Sequence, residues 1–277
     1  LTYDYDYIGA GPQSLKDLGS FGDVLKNAAR PMIVVGQGAL TRKDGAAVLA
    51  EALALAKSVG AITDEWNGFN VLHTAAARVA GLDLGLVPGE GGRDVEGILE
   101  GASSGEIEVV HLLGADEIDM NRLGKAFVIY QGTHGDAGAH RADVILPGAA
   151  YTEKNATWVN TEGRVQLGRR AVFPPGSARE DWTILRALSG VLGKTLPYDD
   201  LAAIRSAMEA DAPHFAMSDV TAPVTDMPSL PQGELDAAPF ETPVRDFFMT
   251  NPVARASAVM AECSAGRAAA ARIQAAE

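Results

Sequence analysis

Pro31-Met32-Ile33-Val34-Val35-Gly36-Gln37-Gly38 is a short apolar run closed by glycine, the form taken by a buried parallel strand. Thr41 and Asp44 follow as a capping-box pattern, and Val48, Leu49, Ala52, Leu53, Ala56 and Val59 then recur at helical spacing before Gly60. Strand, turn and helix in that order open a βαβ unit. The texture repeats downstream. Helices are predicted over 70–80 and 95–102, and strands over 107–114, 126–130 and 142–147. Strands separated by helical segments predict an α/β fold: a Rossmann-like, mostly parallel sheet with flanking helices.

Outward from that core the texture changes. Short β-prone pieces at 157–160, 164–167 and 171–173 surround Gly163 and Gly168, which predicts a small antiparallel excursion. Ser177 with Glu180 repeats the capping-box pattern ahead of a helix carrying Trp182, Leu185, Leu188 and Leu192 on one stripe, stopped by Gly193. Pro213, Pro223, Pro228, Pro231, Pro239 and Pro243 punctuate an acidic stretch beyond Asp211. Asn251 and Pro252 then open an alanine-rich terminal helix that Gly266 is expected to interrupt. At the other end, Tyr3, Tyr5 and Tyr7 alternate with Asp4 and Asp6 in the form of an edge strand or strap. The expected organisation is a lead-in strap over 1–29, an α/β domain over 30–210, and a proline-rich strap with an extended or helical tail over 211–277. The chain opens on Leu1 with no basic or apolar leader after it, so an internal boundary of a longer polypeptide is expected.

Composition narrows the classes of function. With 47 % hydrophobic and 21 % charged residues the chain reads as folded rather than disordered. A formal charge of −13 argues against nucleic acid and anionic lipid surfaces, which attract clustered Lys and Arg. No apolar stretch approaches the roughly 20 residues of a membrane-spanning helix, so direct membrane insertion is not expected. Cys263 is the single cysteine, which rules out an internal disulfide and any iron–sulfur cluster held by this chain alone, because such clusters take about four thiolates.

The candidate sites lie where strands end. Gly36-Gln37-Gly38 sits at the carboxyl end of the first strand, where open α/β sheets bind ligands. Thr41 stands where a third glycine of a dinucleotide fingerprint belongs, so a tight strand-to-helix turn is the stronger interpretation. Gly114-Ala115-Asp116-Glu117 marks the matching end of another strand. Carboxylates there repel a phosphate by about 4 kcal/mol at roughly 4 Å and an effective dielectric of about 20. His134-Gly135-Asp136 with His140 has metal-ligand residue types but no supporting second motif, and reads as a loop with satisfied histidines. Asp119-Met120-Asn121 fails as a calcium loop at Leu123 and Tyr130. Arg141, Asp143, Glu153, Glu162 and Arg164 are expected to form a buried structural network of arginine–carboxylate pairs, with Arg164 holding Glu153 or Glu162. No catalytic residue and no metal ligand is assigned.

The stretch that carries this network runs ADVILPGAAYTEK, then Thr157-Trp158-Val159-Asn160-Thr161-Glu162-Gly163-Arg164, then Pro174-Pro175-Gly176 and ARED-Trp182. It resembles a signature of the molybdopterin oxidoreductase superfamily, with Ala156 in place of the first glycine. The closer resemblance is to the large iron–sulfur subunit of proton-pumping NADH:quinone oxidoreductase, supported by RPMIVVGQGAL, LLGADE, the IYQG and HGD segments and DFFMT. That resemblance implies a segment with no cofactor of its own and a vestigial crevice near Gly36, Gly38, Gly114 and Asp116. It implies 4Fe-4S and 2Fe-2S clusters upstream of this segment, other peripheral-arm subunits as partners, and a place peripheral to the inner membrane on its cytoplasmic or matrix side. The alternatives are the cofactor-binding domain of a molybdopterin enzyme such as a formate dehydrogenase, and the central domain of a thiamine-diphosphate enzyme.

Overall fold

The structure is a computed structural model that describes residues 3–76, 78–221, 229–244 and 246–274. In chain order its elements are α1 (Phe21–Asn27), β1 (Ile33–Gly36), α2 (Gln37–Leu40), α3 (Gly45–Ser58), β2 (Phe69–Leu72), α4 (Arg78–Asp83), α5 (Val95–Ser104), β3 (Val109–Leu113), β4 (Phe127–Gly132), α6 (Ala137–Arg141), β5 (Val144–Pro147), β6 (Ala156–Val159), β7 (Val165–Gly168), α7 (Asp181–Val191), α8 (Leu201–Asp211), α9 (Pro252–Arg255) and α10 (Ala258–Gln274). The expected α/β class is what the chain adopts: parallel sheets, a small antiparallel β6–β7 pair, and helices. Its residues fall into two compact units, Leu1–Gly81 with Val159–Gln166 and Met217–Pro243, and Leu82–Trp158 with Leu167–Ala216 and Val244–Glu277. Leu1, Thr2, Pro223 and Pro228 lie outside the described residues.

In the first unit β1 and β2 run parallel, Ile33 beside Phe69 and Gly36 beside Leu72. Helix α3 buries Val48, Ala52, Leu53 and Ala56. Ala56, Val59 and Ala61 make a small core against which Ile33, Leu55 and Phe69 pack. Two sequence expectations change here. Residues 69–72 are a strand, where a helix over 70–80 is predicted, because ladder bonds to β1 outweigh the helical propensity of the alanines that follow; α4 covers Arg78–Asp83 of the predicted range. Nor does the Thr41–Asp44 capping box form. Thr41 Oγ1 donates to Gly38 O at 3.2 Å, and the Asp44 carboxylate is taken by Arg42 at 2.8 Å, a stronger charged partner than a backbone N–H.

In the second unit β3, β4 and β5 form a three-stranded parallel sheet, with Val109 beside Phe127 and Ile129 beside Val144. One face carries Val110, Leu112, Val128 and Tyr130 into a core completed by Leu99 and Ala102 of α5 and by Leu123. Asp94 caps α5 by accepting from Gly97 N–H at 2.9 Å. Alternation places Val109, Leu113, Phe127 and Val144 on the other face, where they are exposed.

The remaining pieces mostly follow local chemistry. Residues 171–173 form no strand; Ala171 and Val172 donate to the carbonyl of Thr152 instead. Helix α7 starts at Asp181 without a capping box, since the Glu180 carboxylate accepts from Trp182 Nε1 and Asn155 N–H. Asn251 caps α9 through Ala254 N–H at 2.9 Å, with Pro252 at the first position. Helix α10 continues through Gly266. Among the described residues no helix is long and apolar enough to cross a membrane.

Candidate functional site

The carboxyl edge of β3 and β4 is where the second unit concentrates its buried polar groups. After β3, Gly114 turns the chain at φ +61° and leads Asp116 back beneath the sheet, where it is 7 % exposed. Its Oδ2 accepts from the Tyr130 hydroxyl at 2.9 Å, and its Oδ1 accepts from Gly138 N–H at 2.9 Å. Burial first, and the neighbouring Asp116 second, push the Tyr130 phenol well above its ordinary range. Tyr130 therefore stays protonated and remains a donor. Gly138 has no substitute at this point. A Cβ there would lie 2.6 Å from the Tyr130 ring and 2.9 Å from the Asp116 carboxylate.

Around this pair the other charges are also engaged. Asp136 Oδ1 accepts from Ala137 N–H at 2.8 Å, the first residue of α6. Arg255 of α9 donates to the carboxylates of both Asp136 and Glu117, the latter at 2.9 Å. Burial raises the Asp136 carboxyl, but the Arg255 and Ala137 hydrogen bonds outweigh it and hold Asp136 below the ordinary carboxylate range. The edge thus holds Asp116, Glu117 and Asp136 against the guanidinium of Arg255. A phosphate needs free N–H donors and spare cations; here Gly138 N–H and Ala137 N–H are taken, and Arg255 is spoken for.

The edge of β1 in the first unit is different. Gly36 is extended and its side is open, while Gly38 in α2 is covered: a Cβ there would lie 2.5 Å from Cγ of Pro243. Gln37 Oε1 and His73 Nδ1, each one residue beyond the last β1–β2 pair, are buried without hydrogen-bond partners among the described residues. Burial, and then the charge of Arg78, lower the His73 pKa, so its ring is neutral at pH 7.

The five residues of the expected network form two separate pairs, Arg141 with Asp143 and Arg164 with Glu162, and Glu153 joins neither. Arg141 lies 3.6 Å from Asp143 and donates to the carbonyls of Gly124 and Ala126 at 3.0 Å. Asp143 Oδ2 accepts from Val128 N–H at 2.8 Å, and Glu153 Oε2 from Ala150 N–H at 2.9 Å. Arg164 lies 3.5 Å from Glu162 and donates to the carbonyl of Asp219; its side chain is 38 % exposed and that of Glu162 60 %. His134 meets the Thr133 hydroxyl at 2.8 Å, and Asp136 serves α6 and Arg255 as described. Among the described residues no three His, Cys, Asp or Glu side chains converge as metal ligands.

Several site residues escape sequence reasoning. Gln131, fully buried, donates from Nε2 to Asp181 Oδ1 at 2.9 Å, and Lys154 bonds the same carboxylate. Tyr130 reads as a strand residue and as the break in a calcium loop, not as a donor, and Arg255 reads as part of an alanine-rich tail. The signals available are a polar Tyr-Gln pair ending an apolar strand, and an Asn-Pro start that fixes α9 in place.

The fold is α/β with parallel sheets, and the chain belongs to the molybdopterin oxidoreductase family, whose model matches residues 1–191. A second family, the C-terminal domain of the G subunit of NADH-ubiquinone oxidoreductase, matches residues 220–263. Among curated relatives, the mitochondrial NADH dehydrogenase [ubiquinone] iron-sulfur protein 1 of Solanum tuberosum is 44 % identical over 96 % of this chain and 36 % of its own length. The 78 kDa subunit of the NADH-ubiquinone oxidoreductase of Candida albicans is 41 % identical over 95 % of the chain and 37 % of the relative. The 75 kDa subunit from Reclinomonas americana is 41 % identical over 95 % and 39 %. The chain therefore spans little more than a third of these relatives. The family name implies a molybdopterin cofactor, and the edge of β3 and β4 does not fit its phosphates: a buried carboxylate already takes the Gly138 N–H.

Proposed function

We propose that this chain is a segment of the large iron–sulfur subunit in the peripheral arm of an NADH:quinone oxidoreductase, serving assembly and stability without catalysis of its own. The observation that carries the proposal is the Asp116 carboxylate, buried and held by Tyr130 and Gly138 at the strand edge where a cofactor of this fold family belongs. An internal anion there repels a phosphate and satisfies the donors a phosphate would use. Descent from a cofactor-binding fold, a single cysteine, and relatives named as iron–sulfur subunits support placing the clusters outside this segment. Its partners are then other peripheral-arm subunits, and its location is the matrix or cytoplasmic face of the inner membrane. NADH:quinone turnover of Asp116→Asn, normalised to the amount of assembled complex, tests this. The expected outcome is less complex with unchanged turnover per complex. Normal assembly with lost turnover would put Asp116 in the chemistry and end the scaffold proposal.

A further inference from the structure

We infer that residues 233–243 are a built-in peptide ligand of the first unit, with Gly38 kept free of a side chain to seat Pro243 and with Gly11, Arg42 and Asp44 holding the rest. The segment can be followed contact by contact. Gly233 lies over Ala47 at the start of α3, 3.1 Å from where its own Cβ would be. Asp236 N–H donates to Asp44 Oδ2 at 2.8 Å. Arg42 binds Asp44 with two nitrogens, at 2.8 and 3.2 Å, and also donates to the carbonyls of Ala238 at 3.0 Å and Pro239 at 2.9 Å. A side chain on Gly11 would stand 3.3 Å from the Ala238 carbonyl. Phe240 N–H donates to Ala10 O at 2.8 Å, and the guanidinium of Arg42 lies 5.3 Å from the centre of the Phe240 ring. The run ends with the Pro243 ring on Gly38.

The seat has the chemistry of a groove for an extended acidic peptide. It offers one guanidinium fixed by a carboxylate, and glycines where the backbone passes. The carboxylates of Asp236 and Glu241 in the segment act favourably on that cation through space. Arg42 and Asp44 have side-chain exposures of only 16 % and 7 %, so the Arg42 donors and the Asp44 acceptors face this segment rather than water. The second glycine of a G-x-G turn ordinarily lets a phosphate approach the backbone. Here the same vacancy admits a proline from the same chain. The segment also lies within the stretch matched by the second of the two families, which gives that stretch a physical task.

Gly38 supplies a test with an unusual sign. It lies inside α2 and outside the left-handed region, so alanine there suits the backbone. The Pro243 ring opposes it: the three atoms nearest such a Cβ, at 2.5, 2.7 and 3.0 Å, all belong to that ring. Hydrogen exchange of the whole chain, followed at the amides of Asp236 and Phe240, reads the seat directly and is independent of turnover in the complex. Gly38→Ala should speed exchange at these amides by about tenfold or more, with residues 109–113 unchanged, since local opening is reported by the amides that open. In a Pro243→Gly background the same alanine should add nothing. Should Gly38→Ala fail to fold, the double variant should fold. Unchanged exchange at Asp236 and Phe240, an equal effect of alanine in both backgrounds, or failure of both variants to fold would each overturn the inference.

Discussion

At the edge of β3 and β4 a buried carboxylate, Asp116, takes the donors of Tyr130 and Gly138; at the edge of β1 a bare glycine, Gly38, takes the ring of Pro243. The same topological position, the carboxyl end of a parallel strand, is closed by charge in one unit and by shape in the other. The two closures differ in range. Asp116 finds its partners 14 and 22 residues away, whereas Arg42 reaches carbonyls 196 and 197 residues away to hold the strap that brings Pro243. A polar closure needs few partners of strict geometry, and a packed closure needs many partners of loose geometry. The first should fail on loss of one atom group, and the second should weaken by degrees.

Asp116→Ala is the largest expected breach of the charged closure. It leaves the Tyr130 hydroxyl and Gly138 N–H buried without an acceptor, at about 1–3 kcal/mol for each. Chemical denaturation of the purified chain should show a loss approaching that sum, a large share of a total stability of about 5–15 kcal/mol. Asp116→Asn keeps one carbonyl acceptor and should lose about half as much. Equal losses would mean that packing, not hydrogen bonding, sets the importance of the site.

Next in size is Arg255→Ala, which removes the cation from Asp136 and Glu117 and should cost about 1.5–3 kcal/mol, the range for hydrogen bonds to charged groups. The pH dependence follows from the direction of the Asp136 shift. Its carboxyl is held below the ordinary value in the folded chain. Its contribution is therefore complete above about pH 4 and is lost as pH falls through the folded value. Unfolding free energy measured against pH should fall less steeply on the acid side in Arg255→Ala than in the parent chain. An identical acid limb in both would detach Asp136 from Arg255.

Arg164→Ala should be the mildest. A pair expected to be buried would cost about 3–5 kcal/mol on breaking. Arg164 is instead partly exposed, 3.5 Å from an exposed Glu162, and an exposed pair contributes only about 0–1 kcal/mol. Its hydrogen bond to the Asp219 carbonyl adds about 1 kcal/mol. A melt should show a shift of a few degrees at most, and a larger one would mean that the β6–β7 hairpin depends on Arg164.

What the sequence made legible follows the same division of range. The strands β1, β3, β4 and β5 are apolar runs with glycine or proline stops, and each forms where its pattern predicts. The acidity of the β3 edge is visible in Gly114-Ala115-Asp116-Glu117, because the residues lie side by side. Strand β2 is hidden: Phe69-Asn70-Val71-Leu72 runs on toward alanines and owes its conformation to pairing with β1. Glycine at position 38 announces a close approach but not by what, and Pro243 lies too far along the chain for any local pattern to connect them. Arg164 shows the opposite failure, a suggestive charge whose burial the sequence overstates.

The claim that joins both edges is that the chain itself fills the places where a cofactor of this family would sit. Acid release of pterin, read by fluorescence, together with molybdenum and tungsten measured by mass spectrometry on the purified protein, tests it most directly. Self-filled edges predict neither pterin nor metal above trace. One pterin per chain would contradict the claim outright.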